Sequence, residues 1–219
     1  MQTDGGNAKM TLFHAPNSRS SATLILLEEL GAPYELHVLN MKAGEQRRPD
    51  YLAINPMGKV PALLHGSALI TEQVAIYIYL ADLFPKTGLA PAIGDPERGP
   101  YLRWLVFYGT CFEPAVVDRA MKREPGRPAS VPYGDFDTMF NTLVKQLEHG
   151  PYFLGQRFCA ADLLWGSALN WMTAWKLVPE LPVINAYVER VTARPSFAKV
   201  KAKDTEIEAA QGGHGFQFR

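Results

Sequence analysis

Cysteine is nearly missing from this chain. Cys111 and Cys159 are the only two in 219 residues. They lie far apart, so neither a disulfide framework nor a zinc site can be assembled from them, and no metal is expected. Net charge is missing as well: 22 Lys and Arg face 22 Asp and Glu. Nothing here resembles the basic footprint of a nucleic-acid binder or of a protein drawn to anionic lipid. No apolar run approaches the roughly 20 residues of a membrane-spanning helix. Residues 1 to 9 are polar and glycine-rich, unlike a secretory leader, and are expected to be disordered. No repeat or low-complexity tract interrupts the chain. What is present is 47% hydrophobic residues, enough for a real core in one large or two modest domains. A reduced, cytoplasmic location is the expectation.

Patterning divides the chain in two. From about Met10 to Phe84, strand-like and helix-like stretches alternate. Met10-Thr11-Leu12-Phe13-His14 reads as a strand. Leu24 to Leu27, followed by Glu28-Glu29-Leu30-Gly31, reads as a helix stopped by glycine. Tyr34 to Leu39 reads as the next strand, and Met41 to Asp50, with Arg47-Arg48-Pro49, as a loop or short irregular helix. Pro85, Gly88, Pro91, Gly94 and Pro96 then crowd together as in an interdomain linker. Everything after looks helical. Tyr101, Trp104, Leu105, Tyr108 and Phe112 fall at three- and four-residue spacing and form an aromatic stripe of the kind that is usually core. Glu113-Pro114 should bend or weaken that helix. Glu124 to Gly134 reads as a loop before a helix through Phe136, Phe140, Leu143 and Leu147.

The most informative stretch is Asn55-Pro56-Met57-Gly58-Lys59-Val60-Pro61, followed eleven residues beyond Pro61 by Glu72-Gln73. An X-Pro bond between a glycine turn and the apolar run Val60 to Leu64 is where a buried strand can begin with a cis proline. Pro61 has no N–H, so Val60 can offer its own N–H and C=O to an extended ligand, as an added strand would take them. Glu72 opens the apolar run Val74 to Leu83. Helix N–H groups there attract a ligand carboxylate, and the Glu72 side chain can take a ligand ammonium. A peptide thiol with an extended amide and a zwitterionic end fits both.

These residues, in this order, resemble the glutathione transferase superfamily over most of the chain. The resemblance implies an α/β thioredoxin-like N-terminal domain of order β-α-β-α-β-β-α over residues 10–85, a linker over 86–96, and an all-α C-terminal helical bundle over 97–219. It implies glutathione as co-substrate, held by Lys59, Val60, Pro61, Glu72 and Gln73, and a homodimer as the assembly. Gln73 stands where the family usually has Ser or Thr, though an amide can still donate to a carboxylate. In the family, the helix matching the aromatic stripe lines the cleft for the electrophile. Tyr108 and Phe112 therefore divide between core and apolar pocket, while Trp104 and Leu105 go to core.

Such enzymes hold the ligand's thiol as thiolate with a hydrogen-bond donor and the positive end of helix one. In Pro16-Asn17-Ser18-Arg19-Ser20, Arg19 falls where the bacterial cysteine-type beta members carry their cysteine, so a theta-, nu- or zeta-like member is expected. Ser18 is the first candidate, because its hydroxyl can donate to sulfur. Asn17 is the second, through its amide; Arg19 could help electrostatically, and Ser20 lies one turn into the helix. All of them could instead cap helix one. The function implied is conjugation of glutathione to small hydrophobic electrophiles. The alternatives are a glutathione-dependent isomerase or peroxidase, and a non-catalytic glutathione-binding or interaction module. Exchange through a protein cysteine is disfavoured, since no Cys lies in residues 10 to 30.

Phe158-Cys159-Ala160-Ala161-Asp162-Leu163 resembles the family's buried helix start. Asp162 can accept from the Cys159 N–H while Phe158 and Leu163 form a hydrophobic staple. A thiol stands where a hydroxyl cap is usual, so Asp162 must hold this start. The motif concerns folding.

Overall fold

In a computed structural model of the chain, which describes residues 9–124 and 126–212, two units are distinguished. The first takes the described part of Met1–Leu80 and of Pro195–Arg219, the second Ala81–Arg194. The expected disorder of residues 1 to 9 lies outside the described residues except at Lys9. There the carbonyl accepts from the Gly66 N–H at 3.0 Å, and the ammonium pairs with Glu35 at 2.7 Å.

The first unit is built on a four-stranded mixed sheet of order β2-β1-β3-β4. Strand β1 (Met10–His14) runs parallel to β2 (Glu35–Val38) and antiparallel to β3 (Ala62–His65), which pairs antiparallel with β4 (Ala68–Ile70). Two central strands explain the pattern. Met10, Leu12, Phe13 and His14 in β1 and Ala62, Leu63 and His65 in β3 are buried, whereas edge strand β2 alternates between exposed and half-buried positions. A parallel pair needs a crossover, and helix α1 (Arg19–Leu30) supplies it, burying Ala22 and Leu24 to Leu27. Gly31 ends α1 at φ 60, its N–H on the Glu28 carbonyl. A short 3₁₀ turn at Glu45–Arg47 leads into α2 (Pro49–Ile54), so the charged stretch is the expected irregular helix. Helix α3 runs over Gln73–Leu83, and the Tyr77 hydroxyl donates to the Ala22 carbonyl at 2.6 Å, tying α3 to α1.

The second unit is helical: α4 (Arg98–Phe107), α5 (Glu113–Ala120), α6 (Phe136–Glu148), α7 (Ala160–Ala174) and α8 (Pro182–Thr192). Pro114 removes one helical N–H and crowds the carbonyl four residues back. The chain answers with a π-helical turn over Tyr108–Phe112 between α4 and α5. Trp104, Phe112, Phe153 and Trp165 are buried together, and the Trp165 indole donates to the Trp104 carbonyl at 3.0 Å. A Cβ at Gly166 would overlap the Val191 side chain, which is how α7 and α8 approach so closely.

Helix α9 (Pro195–Ala210) departs from the expected boundary. Instead of ending the helical bundle, it belongs to the first unit and lies along α1. Ser196 donates to Glu29 at 2.6 Å and Lys199 pairs with Glu28. The contact joins residues more than 160 positions apart.

Candidate functional site

The loop before β3 is locked from within. Tyr51 Oη and Asn55 Nδ2 both donate to the Lys59 carbonyl, at 2.6 and 2.9 Å, while Asn55 Oδ1 accepts from the Met57 N–H. Burial pushes the Tyr51 phenol up from its ordinary range, which keeps its hydrogen in place for that bond. Gly58 sits at φ 59, and a Cβ there would come 2.7 Å from the Gln46 carbonyl oxygen, so only glycine fits. The Val60–Pro61 bond is cis. Val60 packs with Phe13, Tyr51 and Ala62, yet among the described residues its N–H and C=O take no hydrogen-bond partner. A peptide edge is thus held rigid by its neighbours and left open.

Glu72 precedes α3 at φ 62, a left-handed conformation that costs a non-glycine residue on the order of 1 kcal/mol. Its carboxylate is exposed and makes no hydrogen bond or ion pair among the described residues, while its carbonyl accepts from Ile76 N–H at 3.0 Å. Gln73 is buried. Its Nε2 donates to the Arg19 carbonyl at 3.0 Å, and its Oε1 has no partner among the described residues. Swapping the amide would set oxygen against oxygen, so the donor faces Arg19. This side chain joins α3 to the start of α1 with one of the hydrogens that a ligand carboxylate was expected to receive.

Ser18 is the N-cap of α1. Its Oγ accepts from the Ser20 N–H at 3.2 Å and lies 2.7 Å from the Ala15 carbonyl; in return Ser21 Oγ accepts from the Ser18 N–H. Asn17 stands at φ 53, its N–H on Asp204 Oδ2 at 3.1 Å and its amide on Glu208 Oε2 at 2.8 Å. Arg19 is exposed, and Ser20 is fully buried beneath the loop. The structure therefore brings Ser18 to the open end of α1, gives Asn17 to α9, and places Ser20 inside. Tyr108 and Phe112 are both buried, against Trp165 at 5.5 and 4.8 Å between ring centroids, with the Tyr108 hydroxyl on Glu113. Of the two expected settings, they occupy core.

Two residues of this region escaped the sequence reading. His14, fully buried, joins Ser20 Oγ through Nδ1 and Asp204 Oδ1 through Nε2, each at 2.9 Å. A histidine ending a buried strand carries a weak signal, and Asp204 has none, lying in a helix with no local link to β1. Among the described residues, no group of three or more His, Cys, Asp or Glu is placed to hold a metal.

The glutathione S-transferase N-terminal domain family matches residues 8–82, and the glutathione S-transferase C-terminal domain family matches 135–195. The chain is 32% identical to the glutathione S-transferase GstA of Escherichia coli O157:H7 over 85% of its own length and 94% of that protein. It is 26% identical to the disulfide-bond oxidoreductase YfcG of Escherichia coli K12, over 88% and 94%. A glutathione transferase from Methylococcus capsulatus superposes with a TM-score of 0.76 at 32% identity, covering 90% of this chain and 99% of that one. A Sulfitobacter glutathione transferase homologue, solved with bound glutathione, gives 0.72 at 31%, covering 90% and 98%. With both domain families matching and a 32% identical relative covered over 94% of its length, the chain belongs to the glutathione S-transferase superfamily.

Proposed function

We propose that this protein is a glutathione transferase that conjugates the glutathione thiolate to small hydrophobic electrophiles. The observation that carries the reading is the unpaired N–H and C=O of Val60 next to cis Pro61. An extended cysteinyl residue pairs with that edge as one more strand would. The γ-glutamyl ammonium meets the free Glu72 carboxylate, and its carboxylate takes the open N–H groups at the start of α3. Lys59, exposed at the lip of the loop, supplies charge for the far carboxylate. Gln73 acts through its backbone and by holding α3 to α1. The thiol lies at the N-terminus of α1, where Ser18 donates to the thiolate and the helix favours negative charge. Asn17 is the second candidate, and Arg19 adds positive potential.

The similarity to a disulfide-bond oxidoreductase favours a second reading, in which the same thiolate reduces a disulfide; peroxide reduction and isomerisation need that thiolate with a different second substrate. On either reading the protein is a cytoplasmic homodimer; no helix among the described residues is long and apolar enough to cross a membrane. Calorimetry with glutathione tests the site. Glu72→Ala is expected to lose about 1.5 to 3 kcal/mol of binding, the worth of a charge-assisted bond, with fold stability unchanged. Unchanged affinity in a folded variant removes Glu72 from the site. A panel of electrophiles, peroxides and disulfides then separates the two reactions from a non-catalytic binding module.

A further inference from the structure

Ser18 and Ser20 own one hydroxyl hydrogen each, and their contacts ask for more. Ser18 Oγ lies 2.7 Å from the Ala15 carbonyl and 2.7 Å from Ser20 Oγ. Ser20 Oγ lies 2.9 Å from His14 Nδ1 and 3.1 Å from the same carbonyl. Backbone donors already occupy one lone pair on each hydroxyl: Ala15 N–H on Ser20 at 3.0 Å and Ser20 N–H on Ser18 at 3.2 Å. Each of the short contacts needs a hydrogen between its two atoms.

The far side of His14 decides which ring nitrogen must carry a hydrogen. Asp204 Oδ2 accepts from the Ser21 hydroxyl at 2.6 Å and the Asn17 N–H at 3.1 Å, and Oδ1 faces His14 Nε2 at 2.9 Å. The carboxylate is an acceptor throughout, so Nε2 carries a hydrogen, and with the ring in its neutral form Nδ1 is bare. The Ser20 hydrogen then goes to Nδ1. Only the Ser18 hydrogen is left for two contacts of 2.7 Å. In that state the cluster is one hydrogen short, and a hydrogen on Nδ1 would complete it.

We propose that His14 and Asp204 take up the proton that glutathione's thiol loses, through a relay of Ser18 and Ser20. This rests on the functional reading above, which sets the thiol against Ser18. The S–H bond breaks and its proton forms a bond to Ser18 Oγ; the hydrogen Ser18 held moves to Ser20 Oγ; the hydrogen Ser20 held moves to His14 Nδ1. One S–H and two O–H bonds break, and two O–H and one N–H bonds form. The electron pair of the S–H bond stays on sulfur as thiolate. Afterwards Nδ1–H donates to Ser20, Ser20 to Ser18, and Ser18 turns its hydrogen from the Ala15 carbonyl to the thiolate. The buried imidazolium is balanced by Asp204, which removing from water alone would make costly. Among the described residues, acidic Glu208 on the same helix reaches the cluster only through the Asn17 amide. His14 and Asp204 touch no ligand and act as positioning residues that hold the proton.

The test uses the intact protein labelled with ¹⁵N in its histidine rings, at neutral pH. His14 is assigned by changing the other four histidines singly to Gln. Saturation with glutathione is expected to move the His14 nitrogens from the neutral Nε2–H tautomer to imidazolium. S-methylglutathione, which has no thiol hydrogen, is expected to leave them neutral. Asp204→Asn is expected to lower turnover at neutral pH about tenfold with little change in KM for glutathione, the drop easing at higher pH. Thiolate absorbance with a neutral His14 and a proton released to the buffer overturns the relay alone. Absence of glutathione binding by calorimetry overturns the functional reading, and the relay with it.

Discussion

Cys159 shows what one atom can decide. Its sulfur is fully buried and lies 3.3 Å from Asp162 Oδ2, which also accepts the Cys159 N–H at 2.9 Å. Burial and the adjacent carboxylate push the thiol well above its ordinary range, so it remains a donor. A serine hydroxyl in its place would keep that donor and offer the helix N–H groups a better acceptor. Cys159→Ser is accordingly expected to stabilise the protein by about 0.5 to 1 kcal/mol, read as a higher melting temperature. A lower one would mean that the smaller atom leaves a gap costing more than the cap gains. At the same scale, the Ser18 hydroxyl was foreseen both as thiol donor and as helix cap. Its cap partners are now on view, but which hydrogen lies between which oxygens was beyond the sequence, because that depends on a histidine and an aspartate brought in from other elements.

At the scale of elements, the start of α7 is held by its acid. Asp162 accepts from the Phe153 N–H, the Cys159 N–H and the Tyr187 hydroxyl. Burial nevertheless pushes its carboxyl up from 3.8 to about 6, outweighing those bonds. The folded state therefore binds the proton more tightly than the unfolded chain does. This contribution to stability is fully present below about pH 4, is lost as pH rises through about 6, and is flat above. Urea unfolding across this range should show the stability gap between the parent and Asp162→Asn narrowing by on the order of 2 kcal/mol from pH 4 to 7. A gap independent of pH would contradict the assignment. The capping pattern itself was legible, since Cys159 and Asp162 stand three residues apart, as were the strand at Met10–His14, the glycine stop of α1 and the cis Val60–Pro61 bond. Local spacing carries such features. The π-helical turn over Tyr108–Phe112 was legible only as a weakness at Pro114, because a proline signals a disturbed helix but not which form the disturbance takes.

At the scale of the whole molecule, the last helix is what the sequence reading could not place. Residues 97–219 were expected to form one helical domain, yet α9 lies along α1 and sends Asp204 beneath β1, 190 residues from its partner His14. No local periodicity reports a contact of that range. Asp204→Ala would leave the Ser21 hydroxyl, the Asn17 N–H and the His14 Nε2–H without their acceptor. A loss of about 3 kcal/mol in urea unfolding is expected; a surface-like change under about 0.5 kcal/mol would show that α9 contributes little to the first unit. We propose that Ser18 holds glutathione's sulfur as thiolate at the head of α1. The most direct measurement of this is a pH titration of the glutathione complex followed by the ultraviolet absorbance of the thiolate, in the parent, Ser18→Ala and Asn17→Ala. Thiolate is expected to form at distinctly higher pH in Ser18→Ala than in the parent, with glutathione affinity largely kept and Asn17→Ala titrating like the parent. A Ser18→Ala complex that ionises at the parent's pH would contradict it.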